Sequence, residues 1–138
     1  MSEKLRRDLI DKKIVGIVDN LEILRRGLPK SFGEFKKMGL EKDGIYKRIE
    51  SSIELILDIC NIINSDFGFG IPEDEGNSID NLEENGKLSG ESAELVRTMR
   101  GFRNILVHRY GEVDDKQAFE MIKEGICDFE KIIKEIEK

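Results

Sequence analysis

Residues 45–67 read IYKRIESSIELILDICNIINSDF, the longest helical pattern in this chain. Apolar side chains recur there every three or four residues, at Ile45, Ile49, Ile53, Ile56, Cys60, Ile63 and Phe67. Because an α-helix turns once every 3.6 residues, this spacing puts all of them on one face. The stretch therefore predicts a long helix that buries one apolar stripe against the rest of the protein.

The same spacing recurs in three further segments. Their apolar positions are Ile10, Ile14, Ile17, Leu21, Leu24 and Leu28 in the first, Leu95, Met99, Phe102 and Leu106 in the second, and Phe119, Ile122, Ile126, Phe129, Ile133 and Ile136 in the last. No alternating pattern of the kind that marks a strand occurs. We predict an all-α fold, an antiparallel four- to five-helix bundle, in one domain spanning residues 1–138.

Local signals predict where the first helices end. Gly27 and Pro29 stop the first helix, and Ser31 followed by Glu34 has the pattern of a capping box for a short helical turn. The segment 64–78 contains three glycines and a proline, and it is the predicted main loop.

The second half of the chain carries similar signals. A short helix is predicted from Ser78 to Glu84, ending at Gly86, and the next helix from about Ser92. Gly111 interrupts the pattern, and Asp114 or Asp115 can cap the last helix.

Composition limits the possible functions. Charged residues make up 38% of the chain, against about 25% in an average domain, which favours a thin, solvated helical protein. The net charge of −6 argues against broad, non-specific attraction to nucleic acid, so any polyanion must be held by a local patch.

The predicted cellular location rests on the absence of a signal-peptide pattern and of a membrane-spanning pattern. There is no signal-peptide pattern and no apolar run close to the ~20 residues of a membrane span, so we expect a cytoplasmic protein without membrane contact. Cys60 and Cys127 both fall in apolar helical patterns, and we expect both to be buried free thiols.

Residues 103–110, RNILVHRY, hold the only histidine of the chain and one of its two tyrosines. Imidazole is the side chain that exchanges protons near neutral pH, and an arginine fork suits a phosphate oxygen. Four arginines, Arg97, Arg100, Arg103 and Arg109, lie between residues 97 and 109 without a single acid. This local charge of +4 predicts a phosphate-binding patch. For Arg97 and Arg100 an equally good interpretation is pairing with glutamates elsewhere and with the helix dipole.

Helical geometry relates the residues of this motif. Asn104 and His108 lie four apart on one face, so the amide can orient the imidazole or touch substrate, and Arg103 and Tyr110 share another face. Arg103 and His108 are roughly 140° apart around a regular helix. A bend or a second chain is therefore needed before both can flank one phosphate.

The sequence lacks the residues that a phosphate-binding loop or a zinc site requires. Gly86-Lys87 has Asn81 where a phosphate-binding loop needs glycine, and Leu88 where it needs a hydroxyl. One histidine and two distant cysteines do not make a zinc site. We expect no metal and no cofactor.

Cleavage of RNA without a metal needs a base, an acid and a cation for the charge on the phosphorane. One chain supplies one imidazole, whereas a two-fold dimer with both motifs in a shared cleft supplies two. A ribonuclease built on this motif must therefore dimerise.

The stretch MRGFRNILVHRYGEVD, residues 99–114, resembles the signature of the HEPN superfamily and specifically of its HepT-like toxin branch. The branch pattern is an arginine, four residues, a histidine, any residue and a tyrosine, which Arg103, His108 and Tyr110 match. A polar residue after the arginine is typical, and Asn104 fits. SIELILDICNII at residues 52–63, the acidic loop and the last amphipathic helix extend the resemblance over nearly the whole chain.

The resemblance implies a dimeric, metal-independent ribonuclease, the toxin of a type VII-like toxin–antitoxin pair with its active site in the dimer cleft. Arg103 would polarise the scissile phosphate, His108 would be the acid and base, and Asn104 would position them, with Arg97, Arg100 and Arg109 supporting substrate binding. The cognate minimal nucleotidyltransferase antitoxin would silence the toxin by transferring AMP to Tyr110. The residues themselves assign no role to Tyr46.

Two other functions stay open from the sequence. The chain could be a non-catalytic subunit that binds nucleotide or substrate for a nucleotidyltransferase complex, in which case His108 would be dispensable for RNA loss. A purely structural helical adaptor would leave the acid-free arginine run unexplained.

Overall fold

The computed structural model describes residues 6–137, which form six α-helices and one short 3₁₀ turn. Four helices are long: α1 (Arg7–Gly27), α3 (Leu40–Asp66), α5 (Gly90–His108) and α6 (Asp115–Glu137). Two shorter ones, α2 (Phe32–Lys37) and α4 (Glu75–Glu84), lie in the connections, and the 3₁₀ turn covers Tyr110–Glu112. No strand occurs between residues 6 and 137, and the predicted all-α class is confirmed.

Helix α3 lies at the centre, and its contacts show antiparallel neighbours on both sides. Arg6, just before α1, bonds to Asp66 at the end of α3, and Arg48 on α3 donates to Asn20 on α1 over 3.0 Å. On the other side, Arg103 of α5 lies 3.7 Å from Glu54 of α3, and Tyr110, just after α5, bonds to Asp43 near the start of α3. The bundle therefore runs α1, α3 and α5 in alternating directions.

Helix α6 closes the bundle against α5. Ser92 at the start of α5 donates to Glu135 near the end of α6 over 2.6 Å, so these two helices are also antiparallel. The predicted apolar stripes merge into one core, in which only Leu28, Phe67 and Leu95 of the predicted stripes are partly buried. The core fixes the four long helices relative to one another and so fixes the surface on which the motif lies.

Two helices begin earlier than the sequence predicts. Helix α4 starts at Glu75 rather than Ser78, because the Asp74 carboxylate accepts the Asn77 backbone N–H over 2.8 Å. Helix α5 starts at Gly90 rather than Ser92, because the Ser89 hydroxyl accepts the Ser92 N–H over 3.1 Å. A capping side chain satisfies the first free N–H groups of a helix and so decides its first residue.

The predicted main loop, residues 64–78, is shorter in the structure, because α3 continues to Asp66 and α4 begins at Glu75. The boundaries predicted around α1, α2 and α6 agree with the structure. Ser31 accepts the Glu34 N–H over 3.2 Å, and helix α1 ends at Gly27. Of the two candidates before α6, Asp114 is the cap, since its carboxylate accepts the Lys116 N–H over 3.0 Å.

The cysteines differ from each other. Cys60 is buried in α3, and burial raises the pKa of its thiol to about 12. Cys127 is exposed, so the prediction that both are buried is wrong for this residue. Its neighbour Ile126 takes the core-facing position of α6, and one residue further along a helix is a turn of ~100° away from the core.

No helix within residues 6–137 combines the length and the apolar character that crossing a membrane requires.

Candidate active site

The motif lies at the C-terminal end of α5, where the helix stops at His108. Arg109 leaves the helical conformation (φ −141°, ψ 43°), while its N–H still bonds to the Ile105 carbonyl over 2.8 Å. The chain then enters the 3₁₀ turn that begins at Tyr110. The end of the helix therefore divides the motif into a helical part, Arg103 to His108, and a turn.

The helical part opens onto one groove of about 520 Å³, here called the arginine groove. Its lining consists of Glu54, Glu75, Arg100, Arg103, Asn104, Val107, His108 and Arg109. Arg103 and His108 thus reach the same groove within a single protomer. That the two side chains need a bend or a second chain to flank one phosphate stays a prediction.

Arg103 is the most enclosed arginine of the groove, with 12% of its side chain exposed. Its Nε donates to the Asn104 amide oxygen over 3.0 Å, its Nη2 bonds to Glu75, and its Nη1 lies 3.7 Å from Glu54. Nη1 makes no hydrogen bond within residues 6–137, so an incoming phosphate oxygen would compete at this nitrogen with the long ion pair to Glu54. Asn104 positions the guanidinium and, in the described residues, has no hydrogen bond to His108.

The acids of the groove were missed by the sequence analysis. No acid lies within residues 97–109, but Glu54 of α3 and Glu75 of α4 fold back onto the arginines. Three arginines and two glutamates line the groove, so its formal charge is +1 with His108 neutral. A modest local excess of positive charge therefore replaces the predicted +4, and nothing in the linear sequence marks these two acids among 29.

Arg100 lines the same groove and is more exposed than Arg103. Its Nε donates to Glu75 over 3.3 Å, and Nη2 is 4.0 Å from Asp74. Gly76 makes this approach possible, because a Cβ at that position would come within 2.9 Å of the guanidinium. The absence of a side chain at Gly76, in the first turn of α4, thus leaves room for the Arg100 guanidinium against this helix.

The structure does not group Arg97 with the other three arginines. Its guanidinium bonds to Glu83 and to Asp80 on α4 over 2.5 and 2.7 Å, and to Glu94 one turn earlier over 3.2 Å. These bonds, first the one to Glu83, raise the pKa of Arg97 above its ordinary value. Arg97 lies outside the arginine groove and joins α5 to α4, so the structural interpretation of this residue holds.

His108 and Arg109 form the open end of the groove. Both are exposed, and neither side chain has a hydrogen bond or an ion pair within residues 6–137. The neighbouring Val107 is an exposed apolar residue, with 45% of its surface accessible. An unengaged imidazole beside a free guanidinium is what a proton-transfer site for an anionic substrate requires.

Tyr110 points away from this groove, contrary to the expected shared face with Arg103. The helical geometry behind that expectation ends at His108, and the phenol instead donates to Asp43 in the first turn of α3. Desolvation, followed by the hydrogen bond to Asp43, raises the pKa of Tyr110 to about 12. The hydroxyl is therefore a neutral donor that is held beside a carboxylate.

Tyr46, to which the sequence assigned no role, supports this arrangement. Its buried ring packs edge-on against Tyr110 with 5.7 Å between centroids. Its hydroxyl donates to Asp115, which Lys42 also binds over 2.8 Å. Desolvation and this hydrogen bond raise the pKa of Tyr46, so it stays protonated.

The described residues offer no cluster for a metal: among residues 6–137, no three His, Cys, Asp or Glu side chains are grouped to hold one.

Known solved structures superpose on this chain over most of their length. A solved structure of a tri-AMPylated Shewanella oneidensis HEPN toxin in complex with an MNT antitoxin superposes with a TM-score of 0.86. It is 26% identical, and the match covers 94% of this chain and 97% of that one. A crystal structure of a toxin–antitoxin with AMP-PNP matches at 25% identity and a TM-score of 0.87, over 94% of this chain and 98% of that one.

Sequence relatives agree with the structural ones. A protein of Archaeoglobus fulgidus named "Putative RNase" is 31% identical over 133 residues, 96% of this chain and 94% of its own length. The mRNA nuclease HepT of Shewanella oneidensis is 28% identical over 100 residues, 72% of this chain and 75% of its own length. A family model described as ribonuclease HepT-like matches residues 17–136. With that match over most of the bundle, and with the arginine–histidine–tyrosine motif at the end of α5, the chain belongs to the HepT-like family, a branch of the HEPN superfamily.

Proposed function

We propose that this chain is a metal-independent endoribonuclease, the toxin of a type VII-like toxin–antitoxin pair. The observation that carries the proposal is the arginine groove, in which Arg103, Asn104 and His108 share one cavity. The names of its relatives, an mRNA nuclease and a HEPN toxin bound to an antitoxin, support the same function.

The residues of the groove suit phosphodiester cleavage by the neighbouring 2′-hydroxyl. The Nη1 of Arg103, 3.7 Å from Glu54 and without a hydrogen bond in residues 6–137, would bind a non-bridging oxygen, where negative charge grows as the phosphorane forms. His108 would remove the 2′-hydroxyl proton or protonate the leaving 5′-oxygen. Asn104 keeps the guanidinium in position, while Arg100 and Arg109 extend the positive surface along the backbone of the RNA.

One imidazole cannot be both base and acid in the same step. A homodimer that brings two arginine grooves together in one cleft would supply two imidazoles and two guanidinium forks. The exposed apolar surfaces of Val107 and Tyr110 on either side of His108 support a partner protomer at this end of the bundle, since burying them would be favourable.

The first test is the reaction itself. Purified chain should cut RNA in the presence of a metal chelator and should leave cyclic 2′,3′-phosphate ends, because attack comes from the adjacent hydroxyl. End-group analysis by mass spectrometry measures this. Cleavage that needs a divalent cation, or that leaves only 5′-phosphate ends, would contradict the proposal.

The partner in this proposal is a minimal nucleotidyltransferase antitoxin that transfers AMP from ATP to Tyr110. The structures of a tri-AMPylated HEPN toxin with its antitoxin and of a toxin–antitoxin with AMP-PNP support it. So does the position of Tyr110, which is 43% exposed and two residues beyond His108. AMP at this position would add negative charge and bulk at the open end of the groove.

Modification of Tyr110 is the corresponding prediction. Incubation with the cognate nucleotidyltransferase and ATP should add AMP-sized masses to the peptide that contains Tyr110 and should abolish RNA cleavage. Peptide mass spectrometry locates the addition. A Tyr110→Phe variant should stay unmodified and active, whereas Tyr46→Phe, with its ring in the core, should be modified like the wild type. Additions on another residue would remove this part of the proposal.

A further inference from the structure

The acceptor oxygen for nucleotidyl transfer already has a carboxylate partner in this structure. The Tyr110 hydroxyl donates its hydrogen to Oδ1 of Asp43. Asp43 lies in the first turn of α3, far along the chain from the motif, and only the antiparallel packing of α3 and α5 brings the two together. Both residues are exposed, so a bound nucleotide and a partner protein can reach the pair.

The surroundings fix this contact. The Tyr46 ring supports the Tyr110 ring from one side. The nearby carboxylate of Asp115 is already engaged, because it accepts from Tyr46 and binds Lys42. Asp43, by contrast, has no hydrogen bond or ion pair other than the one to Tyr110 within residues 6–137. Of the two carboxylates, Asp43 is the one left to receive a proton.

The phenol needs such a receiver. Desolvation and its neighbouring acid raise the pKa of Tyr110 to about 12, so a preformed phenolate is scarce at neutral pH. A neutral phenol is a weak nucleophile, and its proton must leave as the new bond forms. His108 is unsuited to this task, because it lines the arginine groove while Tyr110 lies outside the lining of that groove.

We propose that Asp43 is the general base for nucleotidyl transfer to Tyr110, a step that rests on the function proposed above. The Tyr110 oxygen attacks the α-phosphorus of a nucleoside triphosphate held by the partner enzyme. The new oxygen–phosphorus bond forms, and the bond from the α-phosphorus to the bridging oxygen breaks. Pyrophosphate leaves with that electron pair. The phenolic proton passes to the Asp43 carboxylate and from there to water.

The test compares two neighbouring acids on α3. Asp43→Asn removes the proton acceptor and keeps the size of the side chain, and Glu41→Gln removes the same charge from an exposed position in the same helical turn. With saturating ATP and nucleotidyltransferase, the maximal rate of AMP transfer should fall by about 10²-fold or more for Asp43→Asn, within the 10²–10⁴ range of general base catalysis. Glu41→Gln should react like the wild type.

A second measurement separates proton transfer from mere positioning. A fluorinated tyrosine introduced at position 110 has a more acidic phenol and depends less on a base. It should therefore speed AMP transfer in Asp43→Asn much more than in the wild-type background. RNA cleavage by unmodified Asp43→Asn should equal that of the wild type, since Asp43 does not line the arginine groove.

Any one of three results would overturn the assignment of Asp43 as the base. The first is an Asp43→Asn rate of AMP transfer within about threefold of the wild type, the second is a loss confined to the affinity for the partner, and the third is a slow variant that fluorinated tyrosine does not rescue. If one of them is found while Tyr110 is still the modified residue, the proposed function stands and only the role of Asp43 falls. If the wild-type chain cuts RNA but is never modified on Tyr110, the switch and the role of Asp43 both fall.

Discussion

Replacing His108 by alanine should reduce RNA cleavage by about 10²–10⁴-fold, because it would remove both imidazoles, the base and the acid, from the two-protomer site. The variant should fold normally, since His108 is exposed and has no hydrogen bond or ion pair within residues 6–137. In cells, expression of the wild type should arrest growth and expression of His108→Ala should be harmless. Initial rates of RNA loss with purified protein measure the effect directly.

A matched control makes this result interpretable. Gln117→Ala changes an exposed polar side chain beyond the motif, in the first turn of α6, and should leave cleavage intact. Equal cleavage by His108→Ala and the wild type would instead favour the alternative function, a non-catalytic subunit that binds nucleotide or substrate for a nucleotidyltransferase. In that case the arginine groove would bind the ligand and the imidazole would be dispensable.

Arg103→Ala should be almost as damaging, with a loss of about 10²–10³-fold in the cleavage rate, the usual effect of removing one donor to a developing negative charge. Arg103→Lys should not restore activity, because an ammonium is a point charge and cannot replace the fork that spans Glu75, Asn104 and a phosphate. The loss should appear in kcat rather than in the affinity for RNA, which pre-steady-state kinetics can separate.

Arg97→Ala is the control for Arg103. Both arginines lie on α5 and bond to acids of α4, so both substitutions remove inter-helix ion pairs. Only Arg103 lines the arginine groove. Similar stability in thermal unfolding, with cleavage lost only in Arg103→Ala, is the expected outcome. An equal loss in both variants would mean that Arg103 acts through the fold.

The two inactive variants together test the shared cleft. Mixed and allowed to exchange protomers, His108→Ala and Arg103→Ala would form dimers that keep one imidazole and one fork from different chains. Such mixtures should cut RNA faster than either variant alone, but much more slowly than the wild type, because one imidazole and one fork are still missing. If each protomer works alone with its own arginine groove, the mixture should stay inactive.

Arg103 and Tyr110 contact helix α3 at different points, and the distance between these points matters for the proposed silencing by AMP. Their partners, Glu54 and Asp43, lie eleven residues apart on this helix, or about 16 Å at 1.5 Å per residue. In the proposed silencing, AMP attached to Tyr110 would therefore start at some distance from the Arg103 fork that it has to shield. Shielding would require that the added group extends back over His108, or that it reaches the groove of a partner protomer.

Much of the fold could be predicted because helices are encoded locally. Spacings of three and four residues identified the four apolar stripes, and Gly27 and Asp114 marked helix ends where the structure has them. The predicted starts of α4 and α5 were late, because Asp74 and Ser89 cap these helices ahead of their first apolar residues. The motif also singled out Arg103, Asn104 and His108, three neighbours in sequence that line one groove.

The rest depended on pairs that are distant in the chain. Glu54 and Glu75 reduce the charge of the arginine groove, Arg97 is bound by α4, and Tyr110 turns to Asp43 once α5 ends. The sequence by itself determined the helices and the chemistry available at the end of α5, because both follow from the order of residues over a few turns. Only the tertiary structure decided which charges remain free and where the phenol points, because those depend on how α3, α4 and α5 pack against one another.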